Sequence, residues 1–226
     1  MKRLLSFFLF CVLGVVGTLA QHPKLLLTKE ELGYMKQHMN EVPAFGRVVD
    51  DLLQKADEAC AAAIQIPTPV DGGGGAVHEQ HKSNYYAMFY AGLAYQYTGH
   101  KKYADFVAQM LMEYAQKYPK WGLHPVNLSP VPGRLFWQTL NESVWLVHTA
   151  MAYDCVYDAL SAKQRKFIEK NLLFNMADFI MNGYGDCKGN HEMFNRMHNH
   201  ATWATSAVGM VGMTTGNQSL VRKALY

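Results

Sequence analysis

The sequence predicts an all-α protein, an incomplete α/α toroid in which helical hairpins form an inner and an outer ring of helices. Three observations support this fold class. Apolar residues recur at steps of three and four along most of the 226 residues, which is the period of an amphipathic helix. No segment has the strict alternation of a strand. The hairpin turns near Gly99, Ser161 and Gly216 lie roughly sixty residues apart, whereas a tetratricopeptide repeat needs ~34.

The first twenty residues predict a signal peptide. Lys2 and Arg3 precede an apolar run over residues 4–16, and the Thr-Leu-Ala sequence at 18–20 offers a cleavage site. The mature chain, 21–226, is therefore expected to be exported to the periplasm or secreted, with no membrane span after cleavage. Cleavage lowers the net charge from +3 to +1. This balance predicts no nucleic-acid partner, and any site for an anion must be local.

The helices of the first half are predicted from caps, periodicity and turns. A capping box at residues 28–31 opens the first helix, and the second covers 44–64. The stretch 66–75 is rich in proline and glycine and predicts a flexible loop. It is not a phosphate-binding loop, because no strand precedes it and no Gly-Lys-Ser/Thr follows. Helices over 78–97 and 101–118 form the next hairpin.

The second half continues the same pattern. Its predicted segments are a proline-rich connection at 119–132, a helix at 135–160, a capping box at 161–164 that opens a helix to 181, a polar loop at 183–190, a helix at 193–214 and a last segment at 219–226. The last segment ends in mid-helix by its pattern, which favours a truncated chain.

Three of these helices carry polar and aromatic residues beside their packing stripes. On the helix 193–214 the packing stripe is Phe194, Met197, Ala201, Ala204, Val208 and Val211, and the polar face holds Asn195, Asn199, His200, Thr202, Trp203 and Ser206. On the helix 78–97 the corresponding face holds Gln80, His81, Lys82, Asn84 and Tyr85. On the helix 135–160 it holds Gln138, Asn141, Trp145 and His148. Solvated faces usually carry Lys and Glu, whereas these faces carry Asn, His and Trp, which suit a sugar. On periodicity alone, a sugar-binding cleft and a plain solvated face are about equally supported. For Trp145 we prefer a core position.

Metal and thiol chemistry receive little support. The cysteines left after cleavage are Cys60, Cys155 and Cys187, and the absence of C-x-x-C excludes zinc-finger and thioredoxin motifs. One disulfide and buried free thiols remain equally compatible with this set. His198 and His200 point about 200° apart on a helix, so they are not a metal pair. No metal site is predicted.

Three motifs stand out on the polar faces. They are His-Glu-Gln-His-Lys-Ser-Asn-Tyr at 78–85, Pro-Gly-Arg-Leu-Phe-Trp-Gln at 132–138 and Phe-Asn-Arg-Met-His-Asn-His-Ala-Thr-Trp-Ala-Thr at 194–205. Together they resemble the oligoalginate lyases of polysaccharide lyase family seventeen, within the heparinase II/III-like superfamily. The likeness covers nearly all of 22–226. It implies an N-terminal α/α toroid, a C-terminal β-sandwich domain that is absent from this chain, and cleavage of alginate or oligoalginate by β-elimination to unsaturated uronates.

The resemblance also implies site residues. Asn199 would bind the uronate carboxylate, and His200 would help to neutralise it or act as the base. The resemblance and the polar faces together predict as substrate-binding residues Gln80, His81, Lys82, Asn84, Tyr85, Gln138, Asn141, Asn195 and Trp203. The family's catalytic tyrosine lies beyond residue 226, and its structural metal lies in the β domain, so no cofactor is expected in this chain. The expected partner is an acidic polysaccharide or oligosaccharide, alginate first.

Two alternatives remain open. A lyase for another uronan, such as a heparin-type glycosaminoglycan, would need several cationic side chains, whereas only Lys82 and Arg196 lie near the polar faces. That scarcity favours unsulfated alginate. A non-catalytic carbohydrate-binding or helical interaction protein would keep the aromatic faces but would not need Asn199 beside His200.

Overall fold

The computed structural model describes residues 21–39, 41–126, 129, 131–183 and 197–226, and every regular element in these ranges is helical. The α-helices, numbered in chain order, are α1 (Lys29–His38), α2 (Pro43–Ala61), α3 (Ala76–Thr98), α4 (Lys101–Lys117), α5 (Thr139–Val156), α6 (Ala162–Ile168), α7 (Phe174–Asn182), α8 (Asn199–Thr215) and α9 (Gln218–Leu225). A π-helical turn over Glu169–Leu173 joins α6 to α7. The all-α prediction is confirmed for this part of the chain. None of the helices described is both long and apolar enough to cross a membrane.

The local signals for helix starts were mostly correct. Both predicted capping boxes are present, with Thr28 and Glu31 at the start of α1 and Ser161 and Gln164 at the start of α6. Each box satisfies backbone N–H groups that have no partner inside the helix.

The last inner helix begins later than predicted. His198 has an extended backbone (φ −155°, ψ 170°), and its Nδ1 accepts a hydrogen bond from the backbone N–H of His200 at 3.1 Å. This cap starts α8 at Asn199, so the helix does not extend back over Met197. The prediction that Met197 packs in the core was wrong, because its side chain is fully exposed. Residues 193–196 lie outside the described residues.

The helices form two layers, in agreement with the predicted inner and outer rings. The inner layer is α3, α5 and α8, which pack side by side in that order. The outer layer is formed by α2, α4, the α6–α7 segment and α9, each of which packs on the back of an inner neighbour. Gly99 and Gly216, with φ of 73° and 72°, end α3 and α8 and turn the chain into the outer layer.

The inner helices are parallel. The ring of His78 lies 5.0 Å from that of Phe136, just before α5, and the ring of Tyr85 lies 4.6 Å from that of His148. Later residues of α3 therefore contact later residues of α5, so the two helices run in the same direction. Near the ends of α5 and α8, Thr214 donates a hydrogen bond to Asp154 at 3.0 Å. The three N-terminal ends accordingly lie at one end of the layer, and the C-terminal ends lie at the other.

The core lies between the two layers. Trp145 is fully buried, as predicted, and its ring meets that of Tyr114 edge-on at 4.7 Å. A side chain at Gly92 would approach Cys155 Cβ to 3.2 Å and Ala152 Cα to 3.3 Å, so glycine lets α3 and α5 approach closely. Cys60 and Cys155 are free thiols, and burial raises the pKa of Cys155. Cys187 lies outside the described residues.

A buried carboxylate fastens the start of the described chain to the C-terminal ends of the inner helices. Asp154 Oδ1 accepts from Thr214 and lies 2.6 Å from Nδ1 of His22, while Oδ2 accepts from the backbone N–H groups of Lys24 and Leu25 at 2.7 and 2.9 Å. Burial by itself would raise the pKa of Asp154, but these hydrogen bonds outweigh it and lower the pKa.

We expect Asp154→Ala to lower the free energy of unfolding by about 3 kcal/mol, because the donors around the carboxylate would be left buried without an acceptor. Since the folded-state pKa is lowered, this stabilisation is present above the unfolded pKa of about 3.9 and is lost as the pH falls through the folded value. Urea unfolding of both proteins at several pH values measures the difference. Asp158→Ala, which removes an exposed carboxylate paired with Lys29, is the control and should cost far less. Equal losses for the two variants would contradict the role given to Asp154.

Candidate functional site

The predicted site residues of α3 lie in its second and third turns, whereas those of α5 and α8 lie just before or within the first two turns of these helices. Because the inner helices are parallel, all of these turns lie at the same end of the inner layer. The positive ends of three helix dipoles face this end. The packing of the inner helices, rather than proximity in sequence, therefore gathers the three groups.

The start of α3 is fixed by the loop that precedes it. Asp71 accepts hydrogen bonds from the backbone N–H groups of Val77 and His78 at 2.9 and 2.8 Å. A side chain at Gly75 would collide with the Asp71 carboxylate. The glycine run thus allows the carboxylate to fold over the helix start, and it is not a phosphate cradle.

A buried hydrogen-bond network occupies the second turn of α3. His81 Nδ1 lies 2.8 Å from the Tyr114 hydroxyl, and Asn84 donates to that hydroxyl and to the carbonyl of Gln65, both at 2.8 Å. His81 is fully buried, and burial lowers its pKa to about 4, so the ring is neutral near pH 7. Gln80, which is half-buried, donates to Asn84 Oδ1 at 2.9 Å. The buried pair therefore orients Gln80.

The remaining predicted residues of α3 differ in exposure. Lys82 reaches solvent and pairs with Glu79 at 2.8 Å. Tyr85 is buried against His148, whereas its neighbour Tyr86 is 41% exposed. Burial lowers the pKa of His148 and raises that of Tyr85. Tyr86 is not among the predicted site residues, because the periodicity of α3 does not show which of two adjacent tyrosines faces solvent.

The motif at 132–138 forms a turn around a buried glutamate, Glu142, which is not among the predicted site residues. Glu142 Oε2 accepts from the backbone N–H groups of Arg134 and Leu135 at 2.7 and 3.2 Å, and Oε1 accepts from the Tyr118 hydroxyl at 2.6 Å. A side chain at Gly133 would collide with this carboxylate. The turn delays the start of α5 to Thr139, four residues later than predicted.

Arg134 holds the same turn from the opposite side. Its guanidinium donates to the carbonyls of Trp121 and Tyr118 and to Asn175 Oδ1, and it lies 4.5 Å from the centroid of the Tyr118 ring. Beyond the turn, Gln138 donates to Asn141 Oδ1 at 2.9 Å, and both side chains remain half-buried. The turn thus fixes an amide pair at the start of α5.

The two predicted catalytic residues occupy the first turn of α8. Asn199 is exposed and His200 is half-buried, with its ring 5.2 Å from that of His198. Trp203, one turn later, is 36% exposed. These side chains are open to a ligand at the end of the inner layer. Asn195 lies outside the described residues, and within the described ranges no group of three His, Cys, Asp or Glu residues could hold a metal ion.

Comparison with known proteins identifies the family. The family model described as alginate lyase matches residues 35–226. The chain belongs to the alginate lyase family. It is 40% identical to an exo-oligoalginate lyase of Saccharophagus degradans over 204 residues, and this matched region covers 90% of this chain and 27% of that protein. It is 46% identical to an alginate lyase of Stenotrophomonas maltophilia over 164 residues, and this matched region covers 73% of this chain and 21% of that protein. The chain therefore spans between 21% and 27% of the length of these relatives.

In this alginate lyase family member, Glu142→Ala and Glu142→Gln should differ sharply. Alanine leaves two backbone N–H groups buried without an acceptor and opens a cavity, so we expect a loss of about 3–5 kcal/mol in the free energy of unfolding. Glutamine keeps an acceptor for those groups and can donate to the Tyr118 hydroxyl, so its cost should stay below about 1.5 kcal/mol. Chemical unfolding measures both.

The pH dependence gives a second check on Glu142. Complete burial raises its pKa, although the hydrogen bonds oppose the shift. A raised folded-state pKa means that the carboxyl favours folding at low pH and loses that contribution as the pH rises through the folded value. The wild type should therefore lose stability relative to Glu142→Gln between about pH 4 and neutrality. A constant difference over that range would contradict this assignment.

Proposed function

We propose that this chain is the helical portion of a polysaccharide lyase that cleaves alginate or oligoalginate by β-elimination. The observation that carries the proposal is the pairing of Asn199 with His200 in the first turn of α8, open to a ligand. Membership of the alginate lyase family supports the reaction class, and the names of two long relatives support the substrate. Unsaturated uronate ends would be the products.

The chemistry accounts for these residue types. The C5 proton of a uronate is not acidic while the neighbouring carboxylate is ionised, so the site must bind and neutralise that group. The Asn199 amide donates a hydrogen bond to the carboxylate, and the positive end of the dipole at the start of α8 favours the same negative charge. His200 either helps to neutralise the carboxylate or removes the C5 proton, and an acid protonates the departing O4.

The other site residues divide into two groups. Exposed or half-buried side chains contact the sugar directly, namely Gln80, Lys82, Gln138, Asn141 and Trp203. The buried side chains of His81, Asn84 and Tyr85 position their neighbours. Asn195 remains a proposed contact on the strength of the resemblance alone. We also propose that the protein is exported, acts on an acidic polysaccharide and needs no metal in this portion.

The test uses protein expressed from the intact gene, alginate oligomers and the ultraviolet absorbance of the conjugated double bond that β-elimination creates. We expect Asn199→Ala to lower kcat by about 100- to 1000-fold, the usual cost of removing one donor to a developing negative charge. His200→Ala should cost a comparable factor if the imidazole moves the proton.

Asn182→Ala is the matched control. Asn182 is also an exposed asparagine at a helix end, on α7 in the outer layer, where it donates to Asp178 at 2.8 Å. Its replacement should leave kcat within about twofold of the wild type. Activity of the Asn199→Ala protein at the level of this control would refute the proposed role. Binding of alginate without any double-bond formation by the wild type would favour the non-catalytic alternative.

A further inference from the structure

An open groove of about 390 Å³ lies between α2, α3 and α4. Its lining includes the small side chains of Ala59, Ala62 and Ala87. Tyr86 and Tyr90 form one wall, with ring centroids 6.1 Å apart and planes inclined by only 16°. Tyr86 is exposed and Tyr90 is half-buried. Aligned aromatic rings beside small residues are typical of a site for a flat, partly apolar ligand, and the volume suits a small molecule.

The rim of the groove supplies polar groups in fixed positions. Asn84 is locked by Tyr114 and Gln65, and it holds one N–H of the Gln80 amide. Among the described residues, the carbonyl oxygen and second N–H of Gln80 make no further hydrogen bond. Ser83 adds an exposed hydroxyl. Hydroxyl and oriented amide groups beside aromatic rings match the alternating polar edge and apolar face of a pyranose.

A lysine lies at each end of the tyrosine pair. Lys55 Nζ lies 5.3 Å from the centroid of the Tyr90 ring, and Lys82 precedes Tyr86 by one helical turn, roughly 6 Å along the axis. The lysines pair with Asp51 and Glu79, but all four side chains are at least 36% exposed. Exposed ion pairs contribute little, so a ligand carboxylate can compete for both ammonium groups.

We propose that this groove binds sugar rings of a uronate oligomer, with Tyr86 as the stacking platform and Gln80 and Ser83 as hydroxyl partners. The identity of the ligand rests on the proposed function. The groove is separated from α8 by the whole width of α5, so its role is to hold the chain and not to take part in bond cleavage.

The test measures binding and turnover separately. In an Asn199→Ala background, isothermal titration with alginate oligosaccharides of defined length should show roughly tenfold weaker binding when Tyr86→Ala is added. Tyr86→Phe should bind like the parent, because it keeps the ring. In the active enzyme the same loss should appear as a raised KM for long oligomers with little change in kcat, the signature of uniform binding.

Two further variants keep the result interpretable. Tyr34→Ala removes another exposed tyrosine, on α1 and outside the groove, and should change nothing. Ser83→Trp fills the groove from its exposed rim and should weaken binding as Tyr86→Ala does. The groove proposal is overturned if Tyr86→Ala matches Tyr34→Ala, if Tyr86→Phe is as defective as Tyr86→Ala, or if the parent binds no alginate oligomer. Loss of binding in Tyr86→Ala, together with a wild type that forms no double bond, would retain the groove and reject the lyase.

Discussion

The close, parallel packing of α3 against α5 is the constraint on which the arrangement of polar side chains depends. Gly92 permits this approach, since a side chain there would press on Ala152 and Cys155. Packing in register brings the starts of α3 and α5 to one end, and the bond between Asp154 and Thr214 aligns α8 with them. The positive ends of three helix dipoles are thereby brought to one edge of the layer, where a single helix would offer only a weak field.

Buried or partly buried carboxylates hold the ends of the inner helices in place. Asp71 caps α3, Glu142 organises the turn before α5, and Asp154 fastens the opposite end of the layer to the segment that begins at His22. Each accepts at least two hydrogen bonds from backbone N–H groups or from other buried donors. These bonds lower the pKa of Asp71 and of Asp154, whereas at Glu142 they only reduce the rise that burial causes. The helix ends are consequently rigid, although the connections that lead to them are irregular.

The features predicted well from the sequence are those decided within a few neighbouring residues. The capping boxes at Thr28 and Ser161, the turn glycines after α3 and α8, and the apolar period of the helices all report local energetics. The burial of Trp145 followed from its place on a long apolar helix. The late start of α8 could not be predicted from the sequence, because Met197 continues the apolar spacing and histidine is not a favoured helix cap. Only the structure shows that the His198 ring accepts the N–H of His200.

The sequence predicts which residue types form the candidate site, but it does not predict which of their side chains are exposed and which are buried. Tyr85 and Tyr86 are adjacent, so their side chains leave the helix about 100° apart. Both rings lie near His148, at 4.6 and 5.4 Å, yet Tyr85 is buried and Tyr86 is exposed, which their positions in the sequence do not predict. Each motif combines buried residues with exposed or half-buried ones in this way. His81 and Asn84 are buried and hold Gln80, Glu142 fixes the turn before Gln138 and Asn141, and His198 caps the helix that presents His200. A motif shared with a lyase family therefore mixes residues that can touch a sugar with residues that only position them. Substitution of a buried member should alter the geometry at the helix ends without removing any contact with the ligand, so a loss of activity alone cannot assign a residue to either group.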